Sequence, residues 1–139
     1  MVPEININFL FKLNLSAKSK LTCPIISCRK TSLNLLPLNS KGERFPVNNA
    51  NLEPILDPRP VSDSLYLHAL FEGLAKIELK GWDKLGDLTG SLPKKIITIG
   101  GGSKNPQWRK IREKIINIPI VSCKKTTSFG TALLAINAK

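Results

Sequence analysis

The chain has 139 residues, with 21 Lys+Arg against 10 Asp+Glu and a net charge of +11. That length predicts one domain. Hydrophobic residues at 42% and charged residues at 22% exclude a wholly disordered chain, a collagen and a coiled coil, and no apolar run approaches the ~18 residues of a membrane span.

Residues 1–41 are rich in Asn, Ser, Lys and short apolar pieces and predict a poorly defined N-terminal segment. Phe9, Leu10, Phe11, Leu13 and Leu15 fit a short helix or strand, with mixed periodicity. No basic region precedes them, and Asn6 and Asn8 interrupt the run, so no secretory leader is expected. Cys23, Cys28 and Cys123 form an odd, sparse set. That set predicts a reducing, cytoplasmic setting rather than a disulfide framework.

Residues 42–61 hold Pro46, Pro54, Pro58 and Pro60 and predict an extended loop, because proline lacks the donor that helices and central strands need. Residues 62–139 then read as α-β-α-β-α. Ser62 and Asp63 suit an N-cap, and Leu67, Leu70, Phe71, Leu74 and Ile77 recur at helical spacing. Gly81 is expected to weaken or end this helix, and residues 86–93 to form a loop.

Lys94 to Ile99 predicts a strand, stopped by Gly100-Gly101-Gly102. Asn105 suits an N-cap and Pro106 the first helical position. Trp108, Ile111 and Ile115 line the apolar face of the helix that follows, with Arg109, Lys110, Arg112 and Lys114 mostly outside it, and Asn117 ends it. Ile118 to Cys123 predicts a second strand, parallel to the first. Thr126 or Thr127 would cap a last helix through Asn137, whose Gly130, Ala132 and Ala135 are small enough for close packing. The order implies an α/β layered fold. Two strands are too few for a stable sheet, so more sheet is expected from the first third or from another chain.

Charge is uneven along the chain. It is net +5 over residues 1–41, −3 over 42–93 and +9 over 94–139. The last value fits an anionic partner or a solvated lysine-rich surface. No RNA- or DNA-binding signature accompanies it, which sets nucleic acid behind the other readings. The glycine turn is a good place for a phosphate, since glycines admit close approach and a helix N-terminus offers unpaired N–H groups. It matches neither a P-loop, because Ser103-Lys104-Asn105 follows, nor a dinucleotide fingerprint, because Asn105 stands where glycine is required, so the triplet by itself reads first as a tight strand-to-helix turn.

Other sites are less supported. His68 is the only histidine and reads as structural or surface. Cys23, Cys28, Cys123 and His68 have the spacing of no common zinc site. Glu72 reads as an acid on the polar edge of its helix. Glu43 and Arg44 would pair with each other or order the proline-rich loop.

The string Ile97-Thr98-Ile99-Gly100-Gly101-Gly102-Ser103-Lys104-Asn105-Pro106-Gln107-Trp108-Arg109 resembles the adenosine-binding segment of the FGGY carbohydrate kinases. Gly42-Glu43-Arg44-Phe45-Pro46 is similar to that family's G-E-R-x-P motif. Ala69-Leu70-Phe71-Glu72-Gly73-Leu74-Ala75 is similar to its helix with an E-G pair, and Phe129-Gly130-Thr131-Ala132-Leu133-Leu134-Ala135 to its final helix. With Pro58-Arg59-Pro60-Val61-Ser62-Asp63-Ser64-Leu65-Tyr66, the resemblance points to the cyanobacterial and plant ribulose/xylulose kinase-like branch.

The resemblance implies a partial actin-like (ribonuclease H-like) ATPase domain, the C-terminal portion of a sugar kinase's second domain. It implies ATP and Mg2+ as cofactors and a sugar as phosphoryl acceptor. It places Gly100, Gly101, Gly102, Asn105 and Trp108 at the nucleotide, with core packing the other reading of Trp108. The family's phosphate-binding hairpin and catalytic Asp have no counterpart in these residues. The chain is therefore expected to be inactive alone, as a truncated product or as half of a split enzyme completed by a separate N-terminal kinase chain. The family often has Glu near the position of Thr126, where this chain has Lys124-Lys125-Thr126. The alternative is a non-catalytic basic module that binds nucleic acid or a protein partner.

Overall fold

The computed structural model describes residues 30–123, 125 and 127–137. The segment around Phe9–Leu15, Cys23, Cys28 and Thr126 lies outside the described residues.

The axis of the fold is helix α1, Asp63–Thr89. It has 27 residues and so is about 40 Å long. It starts where expected: Ser62 Oγ accepts from the Leu65 N–H at 3.3 Å. It ends later than expected. Gly81 does not stop it, and its last turn runs to Thr89, where Gly90 closes it at φ 73 with its N–H donating to Gly86 O at 2.8 Å. Tertiary packing outweighs the helix cost of Gly81, about 1 kcal/mol. Leu79 and Trp82, on either side of it, pack into a buried cluster, and the Phe45 ring covers Gly81 itself.

α1 carries a different core on each side. Tyr66, Ala69 and Leu70 pack with Leu35, together with Leu33 and Leu56. Phe71 and Ala75 pack with Trp108 and Ile111, together with Leu67, Leu74 and Ile115. Further along, Leu79 and Trp82 meet Ile96, Ile116, Ile118 and Ile120. Residues 30–61 form no helix or multi-residue strand. They are held by reciprocal backbone bonds between Leu36 and Ile55 (2.8 and 2.9 Å) and between Glu43 and Asn49 (3.0 and 2.8 Å). Glu43 Oε1 accepts from the Arg44 and Phe45 N–H groups, so its carboxylate orders this loop.

Strand β1 is Ile96–Thr98 and β2 is Ile120–Ser122, both shorter than the sequence predicts. They pair in parallel in the register Ile96↔Ile120, Ile97↔Val121 and Thr98↔Ser122. Strand alternation buries Ile96 and Ile120 and exposes Ile97 and Val121. Among the described residues the sheet has these two strands alone. Helix α2, Pro106–Ile116, connects them and packs on α1. It ends at Asn117, which adopts the left-handed conformation (φ 58) that asparagine tolerates best among non-glycine residues.

Helix α3 is Thr127–Asn137. The close packing expected from Gly130, Ala132 and Ala135 is not seen, because every side chain from Ser128 to Asn137 is exposed. The apolar Leu133, Leu134 and Ile136 face outward here, as Ile97 and Val121 do on the sheet. No helix of the described residues is long and apolar enough to cross a membrane.

Candidate functional site

The site begins where β1 stops. Gly100 has φ 90 and ψ −171, a conformation that an L side chain rarely adopts, and the chain turns there. Gly101–Lys104 forms one turn of 3-10 helix. Ser103 fastens it from inside: both its N–H (3.2 Å) and its hydroxyl (2.7 Å) donate to Gly100 O. The amides of Gly101 and Gly102 precede that first hydrogen bond. A side chain added at Gly100 or Gly101 would meet nothing within 4 Å, so the outer surface of the turn is open.

Asn105 joins the turn to α2. Its N–H donates to Gly102 O at 3.2 Å, and its Oδ1 accepts from Gln107 N–H (3.0 Å) and Trp108 N–H (3.1 Å). Its carbonyl takes the Arg109 N–H at 3.2 Å, and Pro106 has no N–H to offer. The start of α2 is thus satisfied from within, contrary to the expectation of unpaired donors there. The donors left to meet an anion are those of the glycine turn, together with the Asn105 side-chain NH2 group.

Trp108 is 8% exposed. Its ring lies 5.3 Å from the Phe71 ring, tilted by 36°. Gly102 faces its edge, since a Cβ on Gly102 would stand 3.8 Å from Trp108 Cδ1. The indole therefore serves as the floor of the turn and as part of the α1–α2 core.

Beneath that floor is a buried ion pair. Arg112, 4% exposed, donates from Nε to Glu78 Oε2 at 2.7 Å and from Nη2 to Glu78 Oε1 at 2.6 Å. Nη1 donates to Thr98 Oγ1 at 3.1 Å, and the guanidinium carbon lies 5.5 Å from the Trp108 ring centroid. Trp82 Nε1 donates to Glu78 Oε1 at 3.2 Å. Sequence reasoning placed Arg112 outside the apolar face; the structure buries it. Glu78 and Arg112 are 34 residues apart on different helices, and nothing in a single sequence links them.

Glu72 also departs from its expected place. It is 4% exposed, and its carboxylate accepts from Thr31 N–H (3.1 Å to each oxygen) and from the Thr31 hydroxyl. His68 Nε2 lies 3.4 Å from Glu72 Oε1. Both groups line a small cleft between α1 and α2, with Gln107, Lys110 and Lys114 at its rim. Its volume of about 20 Å³ has room for one water molecule. Among the described residues, no group of three or more His, Cys, Asp or Glu is placed to hold a metal ion.

Tyr66 donates its hydroxyl to Leu56 O at 3.0 Å. Burial pushes its phenol above the ordinary value, partly offset by Arg59, whose guanidinium lies 5.1 Å from the ring centroid.

The family model for the C-terminal domain of the FGGY family of carbohydrate kinases matches residues 17–138. The chain belongs to that family. Kinases of this family use ATP and a sugar, which accords with a glycine turn opening at a strand end and with the basic last third of the chain.

Proposed function

We propose that this chain is the ATP-binding portion of a ribulose/xylulose-type kinase of the cytoplasm, and that the turn from Gly100 to Asn105 meets the nucleotide. The observation that carries this reading is the open surface over Gly100 and Gly101, ahead of the first hydrogen bond of the turn. The Gly101 and Gly102 amides face the phosphates and ribose, the Asn105 NH2 group supplies one further donor, and Trp108 supports the turn from below. The net charge of +9 over residues 94–139 attracts the triphosphate. Mg2+ enters with the triphosphate, since the described side chains offer it no cage and Mg2+ commonly rests on substrate phosphates.

Phosphoryl transfer needs an oriented sugar hydroxyl and a group to accept its proton, as well as a held nucleotide. Among the described residues no carboxylate hydrogen-bonds to the turn: Glu78 is engaged with Arg112 and Trp82, and Glu72 with Thr31 and His68. We assign the sugar and the proton acceptor to the N-terminal half of the kinase. The exposed Ile97 and Val121 and the outward Leu133, Leu134 and Ile136 are the apolar surface that such a half would cover.

Titration of the full chain with ATP and Mg2+ tests the reading. Saturable binding that Gly101→Val abolishes supports it. Sugar phosphorylation by the 139 residues alone contradicts the division of labour. Salt-dependent RNA binding with no response to ATP contradicts the nucleotide assignment and favours a basic binding module.

A further inference from the structure

We infer that Arg112 is the positioning residue of the glycine turn, with Glu78 as its anchor and Thr98 and Trp108 as its two points of contact. This inference rests on the nucleotide reading above and names what holds that site in shape.

The turn has two limbs. One leaves β1 at Thr98, two residues before Gly100; the other enters α2 at Asn105 and runs into Trp108. A three-stranded or wider sheet would fix the first limb by its ladder, but among the described residues β1 has one partner strand of three residues. Arg112 reaches both limbs at once. Its Nη1 holds the Thr98 hydroxyl, and its guanidinium lies against the Trp108 ring, whose edge Gly102 faces. The remaining donors form a fork on the Glu78 carboxylate, and Trp82 steadies that carboxylate through Oε1. Arg112 thus ties strand end, helix start and α1 together. A planar guanidinium with five donors can do this; a lysine ammonium cannot hold the fork and the hydroxyl in one plane. Arg112 and Glu78 are engaged with each other, so their effect on binding passes through the shape of the turn.

The test uses the full chain and four variants: Thr98→Val, which removes only the hydroxyl and keeps the branched shape; Thr98→Ser, which restores it; Arg112→Lys; and Gly101→Val as the control for ATP. Two readouts are taken, amide hydrogen exchange and the Kd for ATP with Mg2+. Thr98→Val and Arg112→Lys are expected to speed exchange of the Ser103 and Asn105 amides about ten-fold or more, with the α1 amide of Ala75 unchanged. Thr98→Ser is expected to match wild type. The Kd is expected to weaken about ten-fold in the two slack variants and to recover in Thr98→Ser.

Unchanged exchange at Ser103 and Asn105 overturns the brace, and so does equal acceleration at Ala75, which marks general loosening. Faster exchange with an unchanged Kd overturns its role in nucleotide binding. Absence of ATP binding by wild type overturns the functional reading instead, while the exchange comparison still decides whether Arg112 sets the turn.

Discussion

Gly73 shows how much one residue can constrain this fold. A Cβ there would stand 2.6 Å from Leu35 O and 2.7 Å from Pro37 Cδ, so the 35–37 segment lies directly on α1. Alanine is the better helix former by about 1 kcal/mol. Gly73→Ala is nonetheless expected to destabilise the chain, because a backbone oxygen must move, and the cost is about 1–3 kcal/mol as for other overpacked sites. Thermal unfolding checks the sign, and a raised melting temperature would contradict it. The neighbouring Glu72 was legible as a motif residue and illegible as a buried one, since its partner Thr31 lies 41 residues away in a stretch without periodicity. Tyr66 gives a pH dependence. Its raised phenol pKa means that the unfolded chain ionises first, so its contribution is complete below pH 10 and is lost as pH rises from there through the folded value. Tyr66→Phe removes this alkaline loss and costs about 1 kcal/mol at neutral pH through the bond to Leu56 O. Denaturant titrations of both proteins at neutral and alkaline pH measure the difference.

At the scale of elements, local chemistry settled the boundaries that local chemistry controls. Ser62 and Asn105 cap α1 and α2 as their residue types predict, Pro106 opens α2, and Asn117 closes it. Replacing Asn105 by alanine frees two amides, of Gln107 and Trp108, and is expected to cost about 1 kcal/mol in chemical unfolding. The end of α1 was illegible because it depends on distant residues: Phe45 over Gly81, and Leu79 and Trp82 on the isoleucine cluster. The Glu78–Arg112 pair is another such case, joining α1 to α2 across the chain. Removing one partner leaves a buried charge unpaired, so Glu78→Ala is expected to cost about 3–5 kcal/mol. The double variant Glu78→Leu with Arg112→Met replaces the pair by apolar groups and is expected to lose far less. Equal losses in the single and double variants, read from urea unfolding, would contradict the paired arrangement.

For the whole molecule, the glycine turn was legible as a turn from its residues, because Gly-Gly-Gly stops a β-branched strand ahead of an Asn-Pro cap. Its donor set was not. The sequence suggests unpaired donors at the start of α2, whereas Asn105 and its carbonyl consume them, so in the proposed reading the turn itself would meet the nucleotide. What covers the sheet was also beyond reach. Ile97 and Val121 alternate correctly as strand residues, yet their outer face meets no layer within the described chain. Membership of the FGGY carbohydrate kinases and the open glycine turn are what support the proposal that these residues seat ATP. Isothermal titration of the full chain with ATP and Mg2+, beside Gly101→Val at matched folding, tests it most directly. Saturable binding by wild type and none by the variant, in which a valine fills the open surface of the turn, is the expected result. Equal binding by both chains, or binding by neither, would contradict it.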